Sequence, residues 1–352
     1  MKSGKNKKRK KGITRNPAIV FAEVEDAWEL EYLKKHFQNA RDVRIYRETA
    51  GEILPKIQDA GILSVFIKSR IDKALLQKIP QLRLVTTRST GFDHIDLQET
   101  RKKKIAVCNV PTYGENTVAE HAFALILSLS RNLRKAYLRT MRNDFSIQGL
   151  MGFDLRGKTL GVVGTGHIGL HVIRMGTGFG MNVLACDVKR QQFLSEVMNF
   201  KYVTFEEILA QSDILTLHVP YMPATHHLIH KGNIKKIKKG AVLINTSRGG
   251  LVETEALIRA LNEGILAGAG LDVLEEEAYI LEENRFIQDK HSEEYWLKQR
   301  TILENHVLLH RENVIYTPHM AFYSQEAVQR ILDTTVENIF SYLNGKKVNA
   351  VG

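Results

Sequence analysis

Four polar clusters follow apolar runs in this sequence: residues 89–96 (Ser-Thr-Gly-Phe-Asp-His-Ile-Asp), Thr246-Ser247-Arg248-Gly249-Gly250, Asp272 with Glu275, Glu276 and Glu277, and Thr317-Pro318-His319. In open α/β sheets, ligands bind outside the carboxyl ends of the strands, so chemistry would gather at such clusters. A guanidinium grips a carboxylate in a planar fork. An imidazole exchanges a proton near neutral pH. Singly, each residue has an ordinary reading. An arginine after a strand is more often a surface ion-pair partner, a histidine after proline is more often structural, and two of three consecutive glutamates are usually only solvated.

A fifth cluster gives the set a direction. The run from Leu160 to Val163 reads as a buried strand, and Gly164, Gly166 and Gly169 follow it in a G-x-G-x-x-G pattern, with a helical stretch from Leu170 to Thr177 behind them. The glycines allow a tight turn, close approach of backbone to a pyrophosphate, and close helix–strand packing. The helix start offers unpaired amides and a positive dipole end to the phosphates. A second strand, from Met181 to Cys186, ends in Asp187, eighteen residues past Gly169, where an acid meets ribose hydroxyls. This combination predicts a dinucleotide site. Asp187 favours NAD, because its charge repels the 2′-phosphate of NADP; Lys189 and Arg190 close behind pull the other way. An arginine, a carboxylate and a histidine beside a nicotinamide fit hydride transfer at a carbinol carbon, with the histidine exchanging the oxygen's proton.

The positioning elements follow from periodicity. Short apolar or β-branched runs at 18–22, 43–46, 64–67, 84–87 and 106–109 alternate with helical or polar segments, which predicts a small flavodoxin-like domain with a parallel sheet. Thr117-Val118-Ala119-Glu120 fits a capping box opening a long helix with an apolar stripe at Val118, Ala122, Leu125, Ile126 and Leu129. Later strands are expected at 213–218, 241–245, 267–274 and 313–317, and a final helix at 325–343 that returns to the first domain. The expected fold class is α/β, with two doubly wound parallel-sheet domains: a Rossmann NAD-binding domain over 113–319, and a smaller flavodoxin-like substrate domain, discontinuous over 17–112 and 320–352. Residues 278–311 read as a polar surface insertion.

Several stretches together resemble the D-isomer-specific 2-hydroxyacid dehydrogenase family, from about Ala18 to Leu343. Residues 87–96 are similar to its substrate-carboxylate loop, and residues 110–121 to its interdomain entry into the long helix. Thr246-Ser247-Arg248-Gly249, Leu271-Asp272-Val273-Leu274-Glu275-Glu276-Glu277 and Thr317-Pro318-His319-Met320-Ala321-Phe322-Tyr323 resemble its arginine, acid and histidine motifs. The resemblance implies that Arg248 binds the substrate carboxylate and polarises its carbonyl, that His319 is the acid/base, and that Glu277, five residues after Asp272, holds His319 and favours its charged form. It implies substrate contacts from Thr90, Gly91 and Tyr113. Gly164, Gly166, His167, Ile168, Gly169, Asp187, Val219, Pro220, Thr225, Thr246, Ser247, Arg248 and Asp272 match cofactor-contact positions. The implied reaction interconverts a small 2-keto acid and its D-2-hydroxy acid, pyruvate and D-lactate first among them, in a homodimer built through the long helix. A glyoxylate/hydroxypyruvate reductase of the same family is the near alternative, and a nucleotide-sensing, corepressor-like binding protein the distant one. Two departures stand out: Leu274 occupies a position often aromatic in the D-lactate enzymes, and the insertion after Glu277 is long.

Bulk composition narrows the field further. The chain has 352 residues, 43% hydrophobic and 25% charged, as ordinary globular proteins do. No apolar run approaches the ~18 residues a membrane span needs, and the basic N-terminus lacks the apolar core of a secretory signal. Most of the net charge of +11 comes from residues 1–16, which hold eight lysines and arginines and no acid. Such a tail reads as solvated and disordered; with no recognition motif beside it, nucleic acid is not an expected partner. Cys108 and Cys186 show no metal-ligand spacing, so no metal is expected, and two reduced thiols suit a cytoplasmic protein.

Overall fold

The computed structural model describes residues 17–277, 293–346 and 348–351. The basic tail 1–16 and residues 278–292 of the expected insertion lie outside the described residues. The chain divides into two units, Met1–Tyr113 with Gln325–Gly352, and Gly114–Ser324.

The first unit is built on five parallel strands: β1 (Ala18–Phe21), β2 (Val43–Ile45), β3 (Ala60–Val65), β4 (Leu84–Thr87) and β5 (Ala106–Cys108). Their order is β2-β1-β3-β4-β5, the flavodoxin-like order. β3 and β4 are buried throughout, as strands covered on both faces must be. The strand expected at 64–67 begins four residues earlier, because Ala60 and Gly61 contribute little apolar signal. The helix Gln325–Leu343 closes this unit, burying Val328, Ile331, Leu332, Thr335, Val336 and Ile339 at helical spacing. Its Asn338 Nδ2 donates to Asn109 O at 2.8 Å, and Asn349 Nδ2 donates to Asn338 Oδ1 at 2.9 Å. Ala350 then bridges antiparallel to Cys108, beside β5.

The second unit holds seven parallel strands: β6 (Thr159–Val163), β7 (Asn182–Cys186), β8 (Lys201–Tyr202), β9 (Ile214–Leu217), β10 (Ala241–Asn245), β11 (Leu266–Leu271) and β12 (Val314–Tyr316). The order β12-β11-β10-β9-β6-β7-β8 is that of a Rossmann sheet with one added strand. The long helix runs Glu115–Ser130 from an N-cap at Gly114. Thr117 is therefore inside the first turn and does not cap; its hydroxyl lies 3.5 Å from Ser324 Oγ. Ala119, Ala122, Phe123, Leu125 and Ile126 pack into the core over β6 and β10, so this stripe is core. The expected surface insertion also needs correction. Glu293–Leu309 is a helix, Asn305 and Leu308 on it are buried, and Leu308 joins the core on the other side of the sheet.

Candidate active site

Register brings the expected residues to one edge. Val163 pairs with Cys186 and Leu217, Leu217 with Asn245, Asn245 with Leu271, and Leu271 with Tyr316. The residues following them (Gly164, Asp187, His218, Thr246, Asp272 and Thr317) thus leave the sheet at one level.

At the first of these loops, Gly164 has φ +98°, and a Cβ there would lie 2.4 Å from His218 O. A Cβ at Gly169 would lie 2.0 Å from Gly164 O, so the helix His167–Gly178 rests directly on the loop. Gly166 differs: nothing lies within 4 Å of where its Cβ would be. Protein packing does not demand glycine there, whereas a pyrophosphate lying against the helix N-terminus does. The cradle fits a dinucleotide. His167 is exposed, with Nδ1 3.7 Å from Glu115 Oε1, and Ile168 is half-buried beside the core. Asp187 Oδ2 accepts from Thr165 N (2.6 Å) and Thr165 Oγ1 (3.0 Å), and Oδ1 accepts from Lys189 N (2.8 Å). Burial works to raise its pKa, but these amide and hydroxyl donors outweigh that and hold it below the usual carboxylate range.

Across the switch in strand order, Val219 is half-buried and Pro220 exposed. Thr225 Oγ1 donates to Pro220 O at 2.7 Å and accepts from Met222 N at 2.9 Å, so this hydroxyl shapes the turn. Thr246 Oγ1 is buried without a hydrogen-bond partner among the described residues. Ser247 Oγ donates to Leu217 O at 2.7 Å, and Asn245 Nδ2 holds Arg248 O at 2.8 Å, which sets the direction of the arginine. The turn after Arg248 presses on the acid motif: a Cβ at Gly249 would lie 2.0 Å from Leu274 C and O.

In that acid motif the three glutamates differ. Glu277 Oε1 lies 2.7 Å from His319 Nδ1, and Glu277 Oε2 accepts from Leu274 N at 3.1 Å. Glu275 Oε1 lies 2.5 Å from His227 Nε2, while Oε2 accepts from Thr254 N and Thr254 Oγ1. Glu276 takes the left-handed conformation that turns the chain between them, φ +56°. A carboxylate at Nδ1 keeps that nitrogen protonated and leaves Nε2 as the working nitrogen of His319.

His319 itself sits at φ +53°, strained for a residue with a Cβ. Asp272 enforces this. Its Oδ1 accepts from Thr317 Oγ1 (2.5 Å) and Met320 N (3.0 Å), its Oδ2 from Ala321 N (2.8 Å), and its backbone O from His319 N (2.8 Å). His121 of the long helix joins from behind, with Nε2 2.9 Å from Thr317 Oγ1 and 3.4 Å from Asp272 Oδ1. His227 is marked by no local pattern in the sequence, and His121 only as the last residue of the stretch 110–121 that resembles the family's entry into the long helix. Tyr316 registers the surrounding charge: burial first, then Glu277 and Asp272, push its phenol up to about 12.

The family model for the NAD binding domain of D-isomer specific 2-hydroxyacid dehydrogenases matches residues 123–321. The chain belongs to this family. A 2-hydroxyacid dehydrogenase homolog of Haemophilus influenzae is 37% identical over 287 residues, 81% of this chain and 83% of that protein. A glyoxylate reductase of Thermococcus litoralis is 34% identical over 303 residues, 84% of each chain. The crystal structure of D-lactate dehydrogenase from Aquifex aeolicus, complexed with NAD and lactic acid, superposes with a TM-score of 0.81 at 37% identity, covering 93% of this chain and 96% of that one. This dehydrogenase is thus an oxidoreductase, and NAD is its cofactor. When bound, NAD supplies or takes up the hydride.

Other expected contacts of the dehydrogenase belong to the first unit. Thr90 Oγ1 donates to Val110 O at 2.9 Å, and Thr90 O accepts from Asn109 Nδ2 at 2.9 Å. Ser89 Oγ donates to Gly91 O at 2.6 Å, and Tyr113 O accepts from Arg330 Nε. These bonds fix the loop. Among the described residues no group of His, Cys, Asp or Glu is arranged to hold a metal ion, and no helix is long and apolar enough to cross a membrane.

Proposed function

We propose that the chain reduces a small 2-keto acid to the D-2-hydroxy acid, with pyruvate and D-lactate as the pair and NADH preferred to NADPH. The observation that carries this reading is the Glu277–His319 contact at 2.7 Å beside the Arg248 turn. Arg248 would hold the substrate carboxylate in a bidentate fork and draw on the carbonyl oxygen. His319 Nε2 would give that oxygen its proton, and Glu277 would stabilise the imidazolium before the transfer. Residues 17–112 with 320–352 would form the substrate domain and 113–319 the NAD-binding domain, with Thr90 and Gly91 in the former and Tyr113 opening the latter. Gly164, Gly166, His167, Ile168, Gly169, Asp187, Val219, Pro220, Thr225, Thr246, Ser247 and Asp272 would line the cofactor.

Similarity to a glyoxylate reductase supports a second reading, with glyoxylate or hydroxypyruvate as substrate. A panel of keto acids from glyoxylate to phenylpyruvate, assayed with NADH, separates the two. The lactate formed is then tested with an enzyme specific for one enantiomer. Pyruvate should give the highest kcat/KM and D-lactate the product; a tenfold preference for glyoxylate, or L-lactate as product, would sink the first reading.

A homodimer in the cytoplasm completes the proposal. Its support comes from the segment after the long helix. Leu133, Tyr137, Met141, Phe145, Ile147 (86% exposed) and Met151 (93% exposed) form a run of uncovered apolar side chains, of the kind that marks an interface.

A further inference from the structure

The loop after β7 contains a conflict that a sequence leaves open. Asp187 repels a 2′-phosphate, yet Lys189 and Arg190 follow within three residues, and an arginine near this position is what accommodates that phosphate in NADP enzymes. The structure turns Arg190 away. Its Nη2 donates to Val203 O at 3.1 Å, and its guanidinium lies 5.9 Å from the centre of the Tyr202 ring. Tyr202 belongs to β8, the outermost strand, where it pairs with Ala185 of β7.

Tyr202 is itself firmly placed. Its ring meets Phe200 edge-on at 5.0 Å and 71°. Its hydroxyl accepts from Gln191 N at 3.3 Å and lies 2.9 Å from Thr165 Oγ1. The single hydroxyl proton of Thr165 goes to Asp187 Oδ2, so Tyr202 is the donor to Thr165. One directed chain of hydrogen bonds therefore runs from the loop amide of Gln191 through Tyr202 and Thr165 to the acid expected at the ribose.

We infer that Tyr202 is a coenzyme-specificity residue: its ring holds Arg190 back along the sheet edge, leaving Asp187 to meet the 2′ position of the adenosine ribose. The inference deepens the proposed preference for NADH and rests on it. Its test uses binding, so the identity of the keto acid does not enter.

Calorimetry with 2′,5′-ADP and with 5′-AMP separates recognition of the phosphate from recognition of the adenosine. The unmodified protein should bind 5′-AMP better; if 2′,5′-ADP binds as well, the NADH preference itself is wrong, and the inference falls with it. Tyr202→Leu should tighten 2′,5′-ADP by about threefold to fivefold, the scale of an exposed cation–π contact, with 5′-AMP unchanged. Tyr202→Phe keeps the ring and should not tighten 2′,5′-ADP. Arg190→Ala alone should have no effect, because the parked arginine does not reach the ligand, whereas in the Tyr202→Leu background it should abolish the gain. A Tyr202→Leu protein with normal 5′-AMP binding and no gain for 2′,5′-ADP overturns the inference, as does weaker 2′,5′-ADP binding by Arg190→Ala alone. If Tyr202→Leu does not fold, Tyr202→Met fills the same space without a π face and is read by the same criteria.

Discussion

Glu275 Oε1 lies 2.5 Å from His227 Nε2, so the carboxylate two residues before Glu277 is committed to a different histidine. The two acids of one short motif thereby divide their work. Glu275 ties the acid motif to the start of the helix Thr254–Asn262 through the Thr254 amide and hydroxyl, while Glu277 addresses His319.

Substitution should separate the two. Glu275→Ala leaves His227 and the Thr254 amide without their acceptor and should cost about 1–3 kcal/mol of stability, read by urea unfolding. Glu277→Gln keeps only one of the two acceptor oxygens and should cost some stability as well, but its main effect should be a loss of kcat on the order of 100-fold. The reverse pattern would assign the acid/base partnership to Glu275.

Arg248→Lys should lose far more activity than a retained charge suggests. An ammonium cannot make the planar two-point contact to a carboxylate. A fall in kcat/KM on the order of 100-fold, about 3 kcal/mol, is expected, with the thermal midpoint unchanged. Near-normal kcat/KM would remove Arg248 from substrate binding.

Asp272→Asn should damage both stability and turnover. The carboxylate accepts two amides and a hydroxyl while 1% exposed. An asparagine presents its NH2 to one of those donors, at a cost of about 1–3 kcal/mol. The His319 turn should then relax from its left-handed conformation. Unfolding and kcat measured on one preparation should fall together; loss of neither would mean the turn holds by other means.

His218 should make the protein acid-sensitive. Its Nε2 meets Thr216 Oγ1 at 2.8 Å, and its Nδ1 is shut off from solvent without a hydrogen-bond partner among the described residues, although part of the residue reaches the surface. Burial lowers its pKa from 6.5 to about 3. Between those values the unfolded chain binds a proton that the folded chain does not, so stability falls as pH drops below 6.5, by about 1.4 kcal/mol per unit. From pH 7 to pH 5 this residue should cost about 2 kcal/mol. His218→Gln should lose that much less over the same interval in urea titrations of the protein without cofactor; an equal loss would mean that other groups carry the acid sensitivity.

Legibility in the sequence followed the range of each interaction. Leu84–Thr87 and Gln325–Leu343 stand where periodicity places them, because a β-branched run and a long amphipathic repeat are local signals. β8 has two residues and no pattern to announce it, and the long helix starts two residues before its apparent capping box. At the candidate site, the motifs that resemble the family identify Arg248, Glu277 and His319, and the structure brings Glu277 and His319 into contact. The residues that steady them come from far along the chain. His227 reaches Glu275 across 48 positions, His121 reaches Thr317 across 196, and Tyr202 reaches Thr165 across 37. Only the folded sheet makes them neighbours.

The discontinuity of the first unit sets a schedule for its synthesis. Residues 17–113 emerge from the ribosome with all five strands, yet the helix that covers them with Ile331, Leu332, Val336 and Ile339 is made last. Gly114–Ser324 must be translated in between, roughly 10–40 seconds at about 5–20 residues per second. Through that interval the unit made first has an open apolar flank, while the later unit, contiguous in sequence, gains its last strand, β12, just before the closing helix of the first is made. The unit begun first is therefore the one completed last.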